Sequence, residues 1–240
     1  MPRSDAVPRS DADPVDWADD VTISFASVSG RVDAVTDVSA SFLPGAVHAL
    51  VGPTGSGKSS FLRALAGHDR PTSGTIVVAG KVISRLGSRG RRQLRRRHIG
   101  FVFQRPAANL FTYLDVAEHL RVAARLRGGY DRNEAAELLE DLGLTSRRDH
   151  RPGQLSGGEQ QRLAFAMAAI GRPPVLLADE PTAELDHEAG RRLLDAVGRL
   201  AARGTCVVFA SHDPAAVERA DHVVALDHGR SRPEAGSVHR

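Results

Sequence analysis

The chain has 240 residues, 41% hydrophobic and 25% charged, with a formal net charge of +3. This is ordinary for a globular protein, with ample length for a buried core. No run approaches the ~18 apolar residues of a membrane-spanning helix. Cys206 is the single cysteine, which excludes an internal disulfide and points to a reducing compartment.

Residues 1–20 are polar and proline-containing. They are expected to form a disordered tail and do not read as a secretory signal. Val21–Phe25 and Val35–Phe42 alternate like strands, separated by a turn around Ser29-Gly30. Two antiparallel strands are therefore expected ahead of the apolar strand Val47–Val51. The stretch Gly52-Pro53-Thr54-Gly55-Ser56-Gly57-Lys58-Ser59-Ser60 follows. It fits G-x-x-x-x-G-K-[ST] and lies between a strand and a helix, the context that phosphate-binding loop requires. Its glycines let consecutive N–H groups point inward, and the helix beginning at Lys58 adds its dipole. In such a loop Lys58 reaches the β- and γ-phosphates and the Ser59 hydroxyl ligates Mg²⁺.

Residues 75–80 read as a further strand. From Arg85 to His98 the chain is strongly basic. That segment is either a surface for a partner or anionic lipid or simply a solvated helix face; no aromatics interleave the arginines, which weakens a nucleic-acid reading. Ile99–Phe103 is a short apolar strand ending at Gln104. Residues 106–150 carry helical periodicity in two blocks separated by Gly128-Gly129. Leu155–Arg162 opens a helix whose continuation to Ile170 is almost wholly apolar. The strand Val175–Ala178 ends in Asp179-Glu180. A helix over 188–203 and a strand over 205–210 follow, the strand ending at Ser211-His212-Asp213.

Alternating helices and apolar strands predict a mostly parallel sheet. In such sheets ligands bind at the carboxyl ends of the strands, where the 52–60 loop, Gln104, Asp179-Glu180 and His212 all fall. Phosphoryl chemistry assigns them candidate roles. Asp179 holds Mg²⁺, Glu180 orients or deprotonates the attacking water, Gln104 contacts metal or water, and His212 bonds the γ-phosphate. Ser156-Gly157-Gly158, at a helix start, is either a second anion site or an ordinary N-cap. One nucleotide does not need two distant cradles, and a dimer in which each cradle closes on the other subunit's nucleotide resolves this.

The phosphate loop, Gln104, Leu155-Ser156-Gly157-Gly158-Glu159-Gln160-Gln161-Arg162, Val175–Glu180, Leu185-Asp186 and His212 occur in one order and spacing. In these features residues 21–230 resemble the ATP-binding subunit of an ABC transporter. Arg70–Gly74, Ile99–Gln104 and His150–Pro152 are similar to the branch serving lipoprotein release, macrolide efflux and cell division. The resemblance implies an α/β fold: a P-loop NTPase (RecA-like) core with an antiparallel β subdomain and an α-helical subdomain inserted over about 106–170, residues 231–240 being a loose tail. It also implies ATP and Mg²⁺ as ligands, a head-to-tail dimer of ATPase subunits, and no nucleic-acid partner. A transmembrane permease would dock near Gln104 and hold the chain at the cytoplasmic face of the membrane. The alternative is an ATP-dependent scaffold signalling through a cell-division-type membrane partner without cargo. Nucleic-acid ATPases of the repair type need a coiled coil or zinc module between Lys58 and Ser156, for which this chain has neither length nor cysteines.

Three positions depart from the family pattern. Ser29 stands where an aromatic usually stacks on adenine, leaving Val35 or a partner to supply that contact. Met167 replaces an Arg, and Ala183 replaces a Gly.

Overall fold

The computed structural model describes residues 16–27 and 30–231. Ser29, the residues before 16 and those after 231 lie outside the described residues, so the expectations placed on them are not addressed. The expected tail over 1–20 is corrected at its inner end. Strand β1 already begins at Asp16 (Asp16–Ser27) and pairs antiparallel with β2 (Gly30–Phe42). The alternation that marks a strand starts at Val21, but pairing extends it: Trp17 meets Ser41 on one side and Val77 on the other. Strands β4 (Ser73–Val78) and β5 (Lys81–Val82) complete a four-stranded sheet in the order β2-β1-β4-β5.

The second sheet has six strands in the order β10-β9-β3-β8-β7-β6. These are β3 (Val47–Val51), β6 (Ile99–Val102), β7 (Val175–Asp179), β8 (Cys206–Ala210), β9 (His222–Asp227) and β10 (Arg230–Ser231). All neighbours are parallel except β10 against β9. β9 was not anticipated, although Val223-Val224-Ala225-Leu226 is an apolar run as long as that of β7. It pairs with β3 directly beside the glycine-rich loop.

Two cores lie on opposite faces of this sheet, and the period-2 alternation of β7 shows why. Leu176 and Ala178 join the core containing Leu120, Phe165 and Leu193, whereas Val175 and Leu177 join the core containing Phe61, Leu62 and Ile76. The first core packs helices α3 (Val116–Arg127), α4 (Arg132–Asp141), α5 (Gly157–Ala169) and α6 (His187–Ala202). The second packs α1 (Lys58–Leu65), one residue of α2 (Ser88–His98) and the antiparallel sheet. Full burial of each Leu on β7 contributes roughly 1.5–3 kcal/mol. A short helix α7 (Pro214–Val217) follows β8.

Helix α2 carries the basic run, and part of that charge is turned inward. Arg91 donates to the Leu86 carbonyl at 2.9 Å, Arg95 to the Gly67 carbonyl and Arg96 to the Leu126 carbonyl at 3.3 Å. These guanidinium groups fasten α2 to its neighbours, so the run is partly structural.

Asp16 is 2% exposed at the junction of the two sheets. Its Oδ1 accepts from the Ala79 N–H at 2.6 Å, while Oδ2 has no partner among the described residues. Burial pushes its carboxyl up to about 6, against the lowering effect of the Ala79 bond and of Cys206 beside it. The folded chain therefore holds this proton more tightly than the unfolded chain does. The contribution to stability is full below the ordinary carboxylate value near 3.8 and is lost as pH rises through about 6. Asp16→Asn keeps the acceptor and removes the charge. It should raise stability at pH 8 by about 2–3 kcal/mol, leave it unchanged near pH 3.5, and flatten the profile between, as read by urea unfolding at each pH.

Candidate active site

The loop after β3 turns on glycines that nothing else could replace. Gly52 has φ 148°, and a Cβ there would stand 2.0 Å from the Leu226 carbonyl oxygen on β9. Gly57 has φ 96°, and its Cβ would stand 2.2 Å from the Ala34 carbonyl oxygen on β2. The loop is thus pressed between a strand of each sheet, and only glycine permits both the turn and the approach. Gly57 leads straight into α1 without a side-chain cap, so the first N–H groups of α1 face the loop.

Lys58 is 7% exposed and donates to the carbonyls of Gly52 at 2.7 Å and Pro53 at 3.0 Å. Ser59 donates its hydroxyl to Asp179 Oδ1 at 3.0 Å. Asp179 ends β7, two strands away from β3 in the sheet, so the hydrogen bond spans β8 at the carboxyl edge. Burial raises the Asp179 carboxyl above its ordinary value; the Ser59 bond opposes this, Glu180 adds to it, and Lys58 and Arg63 oppose it. A buried carboxylate beside a hydroxyl is a donor set that suits Mg²⁺, which takes few protein oxygens and completes its shell with phosphate and water.

Glu180 has a left-handed backbone, φ 49°, and its N–H donates to the Ala210 carbonyl at the end of β8 at 3.0 Å. This conformation is costly for a non-glycine residue and turns the side chain out of the strand line. Its carboxylate oxygens both lie 3.0 Å from His212 Nδ1. The Glu180 side chain is 12% exposed and that of His212 73%.

Gln104 is exposed, two residues past the end of β6, and no hydrogen bond ties it to the other groups among the described residues. Its backbone is positioned by Asn109. That amide accepts from the Phe103 N–H at 3.0 Å and donates to the carbonyls of Phe103, Arg105 and Pro106. The sequence reading missed Asn109; its one signal was an amide residue within a proline-containing turn.

Ser156 is the N-cap of α5. Its Oγ accepts from the Glu159 N–H at 3.2 Å, and its N–H donates to Glu159 Oε2 at 2.8 Å. The N-cap alternative thus describes the contacts present, and a cap does not prevent the same N–H groups from meeting an anion. No hydrogen bond joins residues 156–158 to the 52–60 loop among the described residues. Val35 is fully buried, so it has no surface to offer adenine and that expectation is corrected.

A family profile described as ABC transporter matches residues 35–183. The macrolide export ATP-binding/permease protein MacB of Salmonella typhimurium is 38% identical over 214 residues, covering 88% of this chain and 33% of MacB. This chain therefore spans about a third of the length of the MacB proteins it matches. The lipoprotein-releasing system ATP-binding protein LolD 1 of Rhodospirillum rubrum is 39% identical over 217 residues, covering 88% of this chain and 95% of LolD 1. The dimeric post-hydrolysis structure of the ATP-binding cassette MJ0796, bound to ADP and Pi, superimposes with a TM-score of 0.84. It is 30% identical, and the match covers 91% of this chain and 97% of that one.

Lys58→Ala should lower ATP affinity by about tenfold or more in equilibrium binding, the outcome expected of a lost charge-assisted contact to phosphate, and should also lower Tm, because the Gly52 and Pro53 carbonyls lose their donor. Unchanged affinity would separate the loop from the nucleotide.

Proposed function

Because the chain belongs to the ABC transporter family, we propose that it is the ATP-binding and ATP-hydrolysing subunit of a transport complex, working as a head-to-tail pair of cassettes beneath a membrane permease. The observation that carries this reading is the hydrogen bond from Ser59 to Asp179 at 3.0 Å, which joins the glycine loop to the acidic end of β7. It brings the glycine loop and the Asp179 carboxylate together at the carboxyl edge of the sheet, which supports the reading.

In this reading Gly52 to Ser60 wrap the phosphates with backbone N–H groups, and Lys58 exchanges the Gly52 and Pro53 carbonyls for phosphate oxygens. Ser59 and Asp179 would hold Mg²⁺, with Gln104 a further candidate ligand past the end of β6. Bound there, Mg²⁺ neutralises charge on the β,γ-phosphates. Glu180 accepts a hydrogen bond from the attacking water and draws its proton. His212 fixes the Glu180 carboxylate through Nδ1 and is free to present Nε2 to the γ-phosphate. Ser156, Gly157 and Gly158 of the partner cassette close over the same phosphate from the opposite side.

The permease is assigned to a shallow cleft between α3 and α4. Leu120, Tyr130, Ala135 and Leu139 line its floor, and Arg132 and Arg148 stand at its rim. Such a cleft suits a short amphipathic helix that carries an apolar knob and an acidic residue. No helix among the described residues is long and apolar enough to cross a membrane. The scaffold alternative is less favoured, since MacB and LolD 1 are named for export and release.

Glu180→Gln should retain ATP binding, lose about 10²–10⁴-fold in hydrolysis, and accumulate as an ATP-bound dimer in sedimentation velocity; near-normal turnover would remove Glu180 from its assigned role. Arg132→Glu with Arg148→Glu should abolish co-purification with the permease and leave the ATPase activity of the isolated chain intact; retained association would move the docking site elsewhere.

A further inference from the structure

Helix α5 holds a polar side chain that its surroundings do not satisfy. Gln161 is 1% exposed, and neither its Oε1 nor its Nε2 has a hydrogen-bond partner among the described residues. Its neighbour Gln160 differs, donating to the carbonyls of Pro152 at 3.0 Å and Leu155 at 3.3 Å. Arg162 Nε is likewise buried without a partner. An amide in this condition forfeits its hydration and gains nothing in return, and such groups are rare in folded proteins.

The direction in which Gln161 leans identifies what it faces. A helical side chain covers the turn N-terminal to its own Cα, which here is the turn of Gly158. A Cβ on Gly158 would lie 3.3 Å from Leu185 Cδ2, 3.6 Å from the Glu184 carbonyl oxygen and 3.7 Å from Arg162 Nη1. By helix geometry Gln161 lies on the same face of α5 as Gly157 and Gly158, and both glycines approach the loop that connects Glu180 to Asp186. That loop also reaches the anion cradle at the start of α5: a Cβ on Gly157 would stand 3.4 Å from Glu184 Oε2. The Glu184 carboxylate lies at the helix N-terminus where an opposing phosphate would arrive. A phosphate entering that position repels the carboxylate and so works on the loop that carries it.

We propose that Gln161 is a positioning residue that latches α5 to the Glu184–Leu185 loop when a second cassette closes over nucleotide, its amide gaining in that state the partners it lacks in the single subunit. The proposal rests on the ATP-closed dimer described above and adds to it the element that registers closure. The unpaired amide raises the free energy of the open subunit, and pairing on closure returns it. The nucleotide then works against a smaller net cost in closing the dimer.

The test uses the full chain with Gln161→Met, which fills the same volume without polar atoms. Without nucleotide its Tm should rise by about 3 °C or more, because the unpaired groups are gone. In a Glu180→Gln background, ATP-driven dimerisation followed by sedimentation should weaken about tenfold. With Glu180 intact, kcat should fall about tenfold while KM for ATP stays within about twofold. A rise in Tm with unchanged dimerisation and kcat would overturn the latch. A fall in Tm would overturn it too, by showing that the amide is already paired in the single subunit. If the Glu180→Gln parent itself fails to dimerise with ATP, the reading of the dimer falls and takes the latch with it. That failure is recognised because it occurs before Gln161 is altered.

Discussion

The hydrogen bond between Ser59 and Asp179 is the constraint on which the rest of the site depends. It connects residues 120 positions apart, and it does so across β8, whose own end is tied in by the Ser211 N–H on the Leu50 carbonyl and the Glu180 N–H on the Ala210 carbonyl. Three adjacent parallel strands thus finish at one level, and the loop, the acidic pair and His212 emerge from that level together. The glycines make this possible from the other side, by letting β2 and β9 press directly on the loop backbone.

A second regularity is that several of the groups assigned to the nucleotide already have internal partners, whereas the buried Ser56 hydroxyl has none among the described residues. Lys58 rests on its own loop carbonyls, Ser59 on Asp179, His212 on Glu180, and Ser156 within its capping box. Two of these contacts resemble in chemistry the one proposed with ligand: a carbonyl for a phosphate oxygen at Lys58 and a carboxylate for a metal shell at Ser59. Such a site stays ordered without ligand and exchanges bonds of comparable kind when ligand enters, so little reorganisation is required.

Against that economy stand some of the buried polar atoms left unpaired among the described residues: those of Gln161 and Arg162 on α5, and Asp16 Oδ2 at the seam between the sheets. They lie where one body meets another: α5 against the Glu180–Asp186 loop, and the antiparallel sheet against the parallel one. Apolar packing on both faces of the six-stranded sheet is extensive enough to carry these costs. Seams that carry such costs are where relative movement is least opposed.

The sequence determined what depends on consecutive residues. A phosphate cradle is made from N–H groups of neighbouring positions, so its glycine spacing between a strand and a helix was readable directly, as were the apolar β7 run and the glycine-marked opening of α5. Only the tertiary structure decided what depends on pairing across the chain. Asp16 belongs to β1 because a partner strand lies on each side of it, although its own segment looks like a polar tail. β9 lies inside the sheet because β3 pairs with it, and its short apolar run Val223–Leu226 does not by itself say which strand it will join. Val35 is sealed beneath Gly57, which closed one route for adenine contact. The unpaired amide of Gln161 is visible only once every neighbour has been placed, because the satisfaction of a buried polar group belongs to its surroundings rather than to its residue type.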